Sequence, residues 1–112
     1  MRKDTIIHRN QWYWGKLATI ILHGGLAICN LEEDEQDPTK CWLLGVRVLK
    51  GWEGFGYGNE LLEAAKEEAQ NAGYNVIQLK ALTGQWVVDW YEEHGYHITE
   101  QDETWTKMEQ EL

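Results

Sequence analysis

At 112 residues, with 43% hydrophobic and 26% charged side chains, the chain is long enough for one modest core and too apolar to be disordered. A net charge of −9 argues against nucleic acid and acidic membranes as partners and favours cationic ones. No apolar run approaches the roughly 18 residues that span a bilayer, and the opening MRKDTIIHRNQ has no signal-peptide core. The two cysteines, Cys29 and Cys41, stand too far apart for a CxxC motif. The expected setting is therefore a reducing cytoplasm, with both thiols wholly or partly buried.

Asp4 to Trp14 and Lys16 to His23 are rich in Ile, Thr, Trp and Tyr, which predicts two strands. His23-Gly24-Gly25-Leu26 predicts a two-residue Gly-Gly hairpin leading into a strand from Leu26 to Leu31. The acidic run EEDEQDPT, Glu32 to Thr39, reads as a solvated loop. Cys41 to Lys50 (CWLLGVRVLK) is nearly continuously apolar, as expected of a central strand covered on both faces. The next helix is marked by Leu61, Leu62, Ala65, Ala69 and Ala72 at helical spacing, with Asn59 to cap or begin it and Gly73 to stop it. Asn75 to Leu82 alternates as a strand, Gln85 to His94 is a second helix ending at Gly95, and Tyr96 to Gln101 with Thr104 to Glu111 make a last hairpin. The strand–helix–strand unit from Cys41 to Leu82 should be a right-handed crossover with parallel strands. The expected fold is one α/β domain over residues 1–112. Its sheet is mixed and mostly antiparallel, with one parallel pair and two main helices.

The chemistry concentrates in WEGFGYGNELLEAAKEEA, Trp52 to Ala69, where Gly54, Gly56 and Gly58 alternate just ahead of a helix. Glycines leave main-chain N–H groups uncovered, and a helix N-terminus adds free N–H groups and partial positive charge. Phosphate suits such a site. The dinucleotide fingerprint is absent, because its third glycine would fall at Asn59, and no Gly-Lys-Ser/Thr follows to make a P-loop. A loop between a buried strand and a helix is nonetheless where open α/β sheets place phosphate ligands.

Two motifs together resemble the GCN5-related N-acetyltransferases (GNAT superfamily). Val46-Arg47-Val48 is followed by Glu53-Gly54-Phe55-Gly56-Tyr57-Gly58-Asn59-Glu60-Leu61-Leu62, and one helix and one strand later comes Trp90-Tyr91-Glu92-Glu93-His94-Gly95-Tyr96. The resemblance runs from about Lys16 to the C-terminus. It implies that the loop from Glu53 through Gly54, Phe55, Gly56, Tyr57, Gly58 and Asn59 wraps the pyrophosphate of acetyl-CoA with main-chain N–H groups. It implies that the strands before and after the helix splay, with Val46 and Val48 on one side and Ala81 and Leu82 on the other holding pantetheine. A main-chain N–H near Val48 would polarise the acetyl carbonyl, a primary amine would attack it directly, and Tyr91 would protonate the departing thiolate. The acceptor would be a small amine or a basic peptide.

Three departures qualify the match. Glu53 stands where the family prefers Arg or Gln, and a carboxylate roughly 6 Å from a phosphate at an effective dielectric near 40 costs on the order of 1.4 kcal/mol. Arg47 and Lys50 could offset it, or its side chain could turn away. The helices that usually shape the acceptor pocket have only Arg9 to Gly15 in their place, so the acceptor side should be open or completed by a second subunit. Gly84 replaces a common Asn. Glu32, Glu33, Asp34, Glu35 and Asp37 are candidates to attract a cationic amine or relay its proton. His94 and His97 form a bare H-x-x-H lacking an evident third ligand, so no metal site is expected. The seven tryptophans read as core and sheet-face packing rather than as a platform for bases. A homodimer through the Trp12 to Trp14 face or a sheet edge is expected. The competing reading is a non-catalytic scaffold that binds CoA or a basic protein.

Overall fold

The computed structural model describes residues 5–12 and 15–112, and of residues 8–12, 15 and 16 the backbone alone. The predicted strand ends at Asp4 and Tyr13–Trp14, and with them the Trp12 to Trp14 face, lie outside the described residues and side chains. Seven strands form one sheet in the order β1-β2-β3-β4-β5-β7-β6. They are β1 (Thr5–Trp12), β2 (Gly15–Leu22), β3 (Ala27–Glu33), β4 (Lys40–Val48), β5 (Val76–Leu82), β6 (His97–Gln101) and β7 (Trp105–Glu111). Helix α1 (Tyr57–Asn71) connects β4 to β5, and α2 (Trp86–Glu93) connects β5 to β6. All neighbours are antiparallel except β4 and β5, which makes the architecture the expected mixed α/β one.

Alternation along each strand sorts the side chains. Ile20, Leu22, Cys29, Leu31, Cys41, Leu43, Ile77, Leu79 and Met108 are buried in one core with Leu61, Leu62, Ala65 and Ala69 of α1 and Tyr91 of α2. Helix α1 lies across β2, β3 and β4, and α2 against β5, so both helices cover the same side of the sheet. The other side is uncovered at Ile6, Leu44, Leu82 and Trp105, all exposed.

That corrects the expectation that β4 is covered on both faces. Its pairing with β3 shifts by one residue, from Arg47 opposite Ile28 to Leu44 opposite Asn30, and Gly45 at the shift has φ +60°. A bulge changes the parity of the strand. Cys41 and Leu43 face inward before it, and Val46 and Val48 pack toward the core after it. The apolar run therefore reflects one inward face that switches register, not two buried faces.

Other boundaries move for identifiable reasons. Leu22 pairs with Ala27, so four residues, His23 to Leu26, make the turn through a 3₁₀ segment instead of a two-residue Gly-Gly loop. Glu32 and Glu33 continue β3 opposite Trp42 and Cys41. The loop starts at Asp34, whose Oδ1 accepts from the amides of Gln36 and Asp37 at 2.8 and 3.3 Å. Helix α1 is capped by Gly56 at φ 83°, three residues before Asn59. Several tryptophans sit on the surface rather than in packing: Trp52, Trp86 and Trp105 are exposed.

Candidate active site

Strands β4 and β5 pair only over Lys40–Trp42 and Val76–Gln78, then separate. The Leu49 amide donates to the Leu26 carbonyl at 2.8 Å, and by the alternation of an antiparallel ladder Arg47 faces Ile28 while the main-chain groups of Val48 face β5. The Thr83 amide donates to the Thr104 carbonyl at 3.0 Å, so by the same rule Ala81 bonds toward β7 and the main-chain groups of Lys80 and Leu82 face β4. Among the described residues, no strand pairs with β5 on that side beyond Gln78. Two half-empty strand edges thus face each other across an opening.

Above that opening is a groove of about 740 Å³ bounded by β4, the glycine loop and α2. Of the predicted positions, Val46, Val48, Glu53, Gly54, Gly56, Gly58, Asn59 and Tyr91 line it. Gly54 and Gly56 hold φ of 85° and 83°, conformations that L side chains adopt at a cost, and they bring the loop round to the first turn of α1. Among the described residues no side chain caps α1, while the Glu60 amide is already bonded to the Gly56 carbonyl at 3.1 Å. The first-turn amides of Tyr57, Gly58 and Asn59 are left for an anion. Gly58 has a second use, since a Cβ there would lie 3.1 Å from the Trp90 ring. The Trp90 indole N–H donates to Asn59 Oδ1 at 3.4 Å, which ties α2 to the start of α1.

Phe55 and Tyr57 do not line the groove. Their rings stack on each other at 6.1 Å, beside Trp52, so their contribution to an anion site is main chain alone. Ala81 is buried and Leu82 exposed, outside the groove lining but on the strand that borders the opening. The Glu53 carboxylate is turned back, accepting the Gly51 amide at 2.8 Å. Arg47 is the one Lys or Arg among the described lining residues.

Tyr91 is 9% exposed, and burial, followed by the neighbouring Cys29, pushes its hydroxyl pKa up to about 12. Its ring meets Trp90 at 5.0 Å and, edge-on, Tyr96 at 5.6 Å. The hydroxyl is therefore a proton donor over the physiological range. Burial likewise pushes Cys29 and Cys41 up to about 12, which makes both thiols poor nucleophiles.

A second cavity of about 660 Å³ lies along the same strand, lined by Glu32, Glu33, Asp34 and Glu35 and by Trp42, Leu43, Leu44 and Gly45. Residues 42–45 of β4 line it and residues 46–48 line the groove, so the bulge separates the two. Asp37 lies outside it, its carboxylate bonded to Thr39. The Tyr74 hydroxyl donates to Glu33 at 3.0 Å, and the Gln78 amide to Asp34 at 2.6 Å. Burial pushes the Asp34 carboxyl up, but the Gln36 amide, the Gln78 side chain and the Asp37 amide outweigh it and hold the group below the usual carboxylate value. The His94 Nδ1–H donates to the Trp90 carbonyl, 2.8 Å away. Among the described residues, no three His, Cys, Asp or Glu side chains are grouped to hold a metal ion, and no helix is long and apolar enough to cross a membrane.

Sequence reasoning missed Gly45, Trp86 and Val87 as parts of this region, and placed Trp52 and Trp90 in its motifs without giving either a site role. The signals were partial: a lone glycine inside a strand pattern is compatible with a bulge without fixing its register, and aromatic residues stand at both motifs without showing whether they are packed.

A splayed β4–β5 pair with a glycine loop and helix N-terminus above it defines an acyltransferase-like scaffold. The profile of the Acetyltransferase (GNAT) family matches residues 10–96. The chain belongs to the GNAT acetyltransferase family. No curated protein sequence matches it. Among solved structures, it is similar to a PaiA N-acetyltransferase from Thermoplasma acidophilum in complex with coenzyme A. That match has a TM-score of 0.72 and 16% identity, covering 86% of this chain and 60% of the other. It is also similar to a GNAT family acetyltransferase from Elizabethkingia anophelis with acetyl-CoA bound, at TM-score 0.75 and 13% identity, covering 99% of this chain and 100% of that one. A Bacillus subtilis acetyltransferase in complex with CoA gives TM-score 0.76 and 12% identity over 96% of this chain and 99% of the other. At these identities the likeness is one of fold. The chain spans 60% of the length of the Thermoplasma protein.

Proposed function

We propose that the chain is an N-acetyltransferase that moves an acetyl group from acetyl-CoA to a primary amine by direct attack. The observation that carries this reading is the meeting, in one groove, of an uncapped helix N-terminus, the β4 edge where it leaves β5, and Tyr91. The main-chain amides of Gly54 to Asn59 hold the pyrophosphate. Pantetheine amides complete the strand edges at Val46 and Val48 and at Leu82, with Ala81 packing beneath. A main-chain N–H near Val48 polarises the acetyl carbonyl.

The amine enters from the acidic cavity, where its positive charge is favoured. It loses a proton to a carboxylate of that wall or to water, and its nitrogen attacks the carbonyl carbon. As the carbon–sulfur bond breaks, Tyr91 donates its proton to the sulfur. The acidic wall favours a small polyamine or a basic peptide as acceptor. The free, buried thiols fit a reducing cytoplasm, and the uncovered sheet face fits a homodimer.

The non-catalytic reading draws its support from Glu53 and from the uncovered acceptor side. One experiment separates the two. The protein is incubated with acetyl-CoA and a panel of polyamines, amino acids and basic peptides, and products are read by mass spectrometry alongside free thiol release. An acetylated amine formed with stoichiometric thiol supports transfer. Acetyl-CoA binding without any acetylated amine supports the scaffold.

A further inference from the structure

The acetyl chemistry leaves the aromatic rim of the groove unexplained. Trp86, in the first turn of α2, lines the groove with 70% of its surface exposed, and Trp52, just before the glycine loop, lines it with 41% exposed. An indole offers a large apolar face, and two of them left exposed in the lining of one groove mark a surface that something flat covers. Trp86 is also braced, with Trp90 at 6.2 Å and Trp90 in turn fixed against Gly58. Charge points the same way. Arg47 is the one basic residue among the described lining residues, and Glu53 lines the groove too, so the rim has little with which to grip a further phosphate.

We propose that the groove recognises the nucleotide end of acetyl-CoA by its base, the adenine stacking on the Trp86 indole with Trp52 as the second exposed indole of the lining. The inference rests on the acetyl-CoA reading of the groove. With the pyrophosphate on the α1 N-terminus, the base is one ribose away, and Trp52 and Trp86 are the exposed large apolar residues lining the same groove as Gly54, Gly56, Gly58 and Asn59. Every purine presents a π-face, so stacking supplies affinity without base-specific hydrogen bonds. It also compensates for a carboxylate in a loop that must accept phosphate.

Isothermal titration of the full chain with three probes tests this. CoA carries the base and the 3′-phosphate, dephospho-CoA carries the base alone, and 4′-phosphopantetheine lacks the nucleoside. Trp86→Ala should weaken CoA and dephospho-CoA by about tenfold each, and leave 4′-phosphopantetheine unchanged. Trp86→Phe, which keeps a π-face, should recover most of the loss, and Trp52→Ala should show a smaller loss with the same probe pattern. Equal weakening of all three probes would make Trp86 a structural residue and overturn the proposal. So would unchanged CoA affinity in Trp86→Ala, including the case in which that variant instead alters the sedimentation mass, which would assign the indole to a second copy of the chain. Wild-type protein that binds none of the three probes removes the acetyl-CoA reading itself. Wild-type binding with no response to Trp86→Ala removes this inference alone.

Discussion

Tyr91 and Glu53 carry opposite lessons about single side chains. Tyr91→Phe keeps the ring and its contacts with Trp90 and Tyr96 and removes the hydroxyl alone. A general acid acts as the thiolate leaves, so kcat should fall roughly 100- to 10,000-fold while acetyl-CoA affinity stays within about threefold. Stopped turnover assays beside titration calorimetry read the two quantities separately, and equal kcat in the two proteins makes Tyr91 a packing residue. Glu53 looks like a defect in the sequence, yet its carboxylate is spent on the Gly51 amide. Glu53→Gln should therefore tighten CoA binding by less than about tenfold at low salt, with the gain vanishing near 1 M salt as screening removes the repulsion. A gain that persists at high salt would contradict an electrostatic origin.

Strand β4 shows how one residue sets an element's function. Gly45 at φ +60° accommodates the bulge, and a Cβ there would sit 3.4 Å from Asn30 Nδ2, a contact the Asn can tolerate. The cost of Gly45→Ala is thus mainly backbone strain, about 1–2 kcal/mol for an L residue in the left-handed region. Urea denaturation should report a loss of that size. CoA affinity should fall as well, because the bulge decides that Val46 and Val48 turn inward while the Val48 edge faces β5. Loss of stability with unchanged CoA affinity would separate the bulge from the groove. The sequence of β4 showed an apolar strand but not the bulge, since a run of Cys, Trp, Leu, Leu, Gly, Val satisfies either reading until β3 supplies the register.

For the molecule as a whole, one sheet face and one set of buried acids have measurable consequences. Lys80 and Lys107 place their ammonium groups 5.8 and 5.7 Å from the Trp42 ring, and so cover part of the helix-free face. Leu44, Leu82 and Trp105 remain exposed. Sedimentation equilibrium at micromolar concentration should give a two-chain mass, and a one-chain mass excludes the homodimer. Alkaline stability follows from the core. Burial raises Cys29 and Cys41 from 9.0, and Tyr91 from 10.0, each to about 12 in the folded protein. The unfolded chain gives up these protons first, so stability is fully present below pH 9 and is lost progressively as pH rises from there toward 12. The urea midpoint should hold between pH 7 and 8.5 and then fall, and a Cys29→Ala/Cys41→Ala double variant should lose part of that slope.

The alternation of Ile77, Leu79 and Ala81, the helical spacing of Leu61, Leu62, Ala65 and Ala69, and the order of the two motifs are local patterns. They make the elements, the crossover and the glycine loop legible from the residues alone, because propensity and periodicity act within a few residues of each other. The strand pairing decided the rest. The place where β4 leaves β5, the parity switch at Gly45 and the turning of Glu53 onto Gly51 depend on main-chain partners at positions no local pattern names. The same holds for the rim of Trp52 and Trp86. Exposure is a property of what fails to pack against a residue, and an indole reads the same in sequence whether it fills a core or faces a groove.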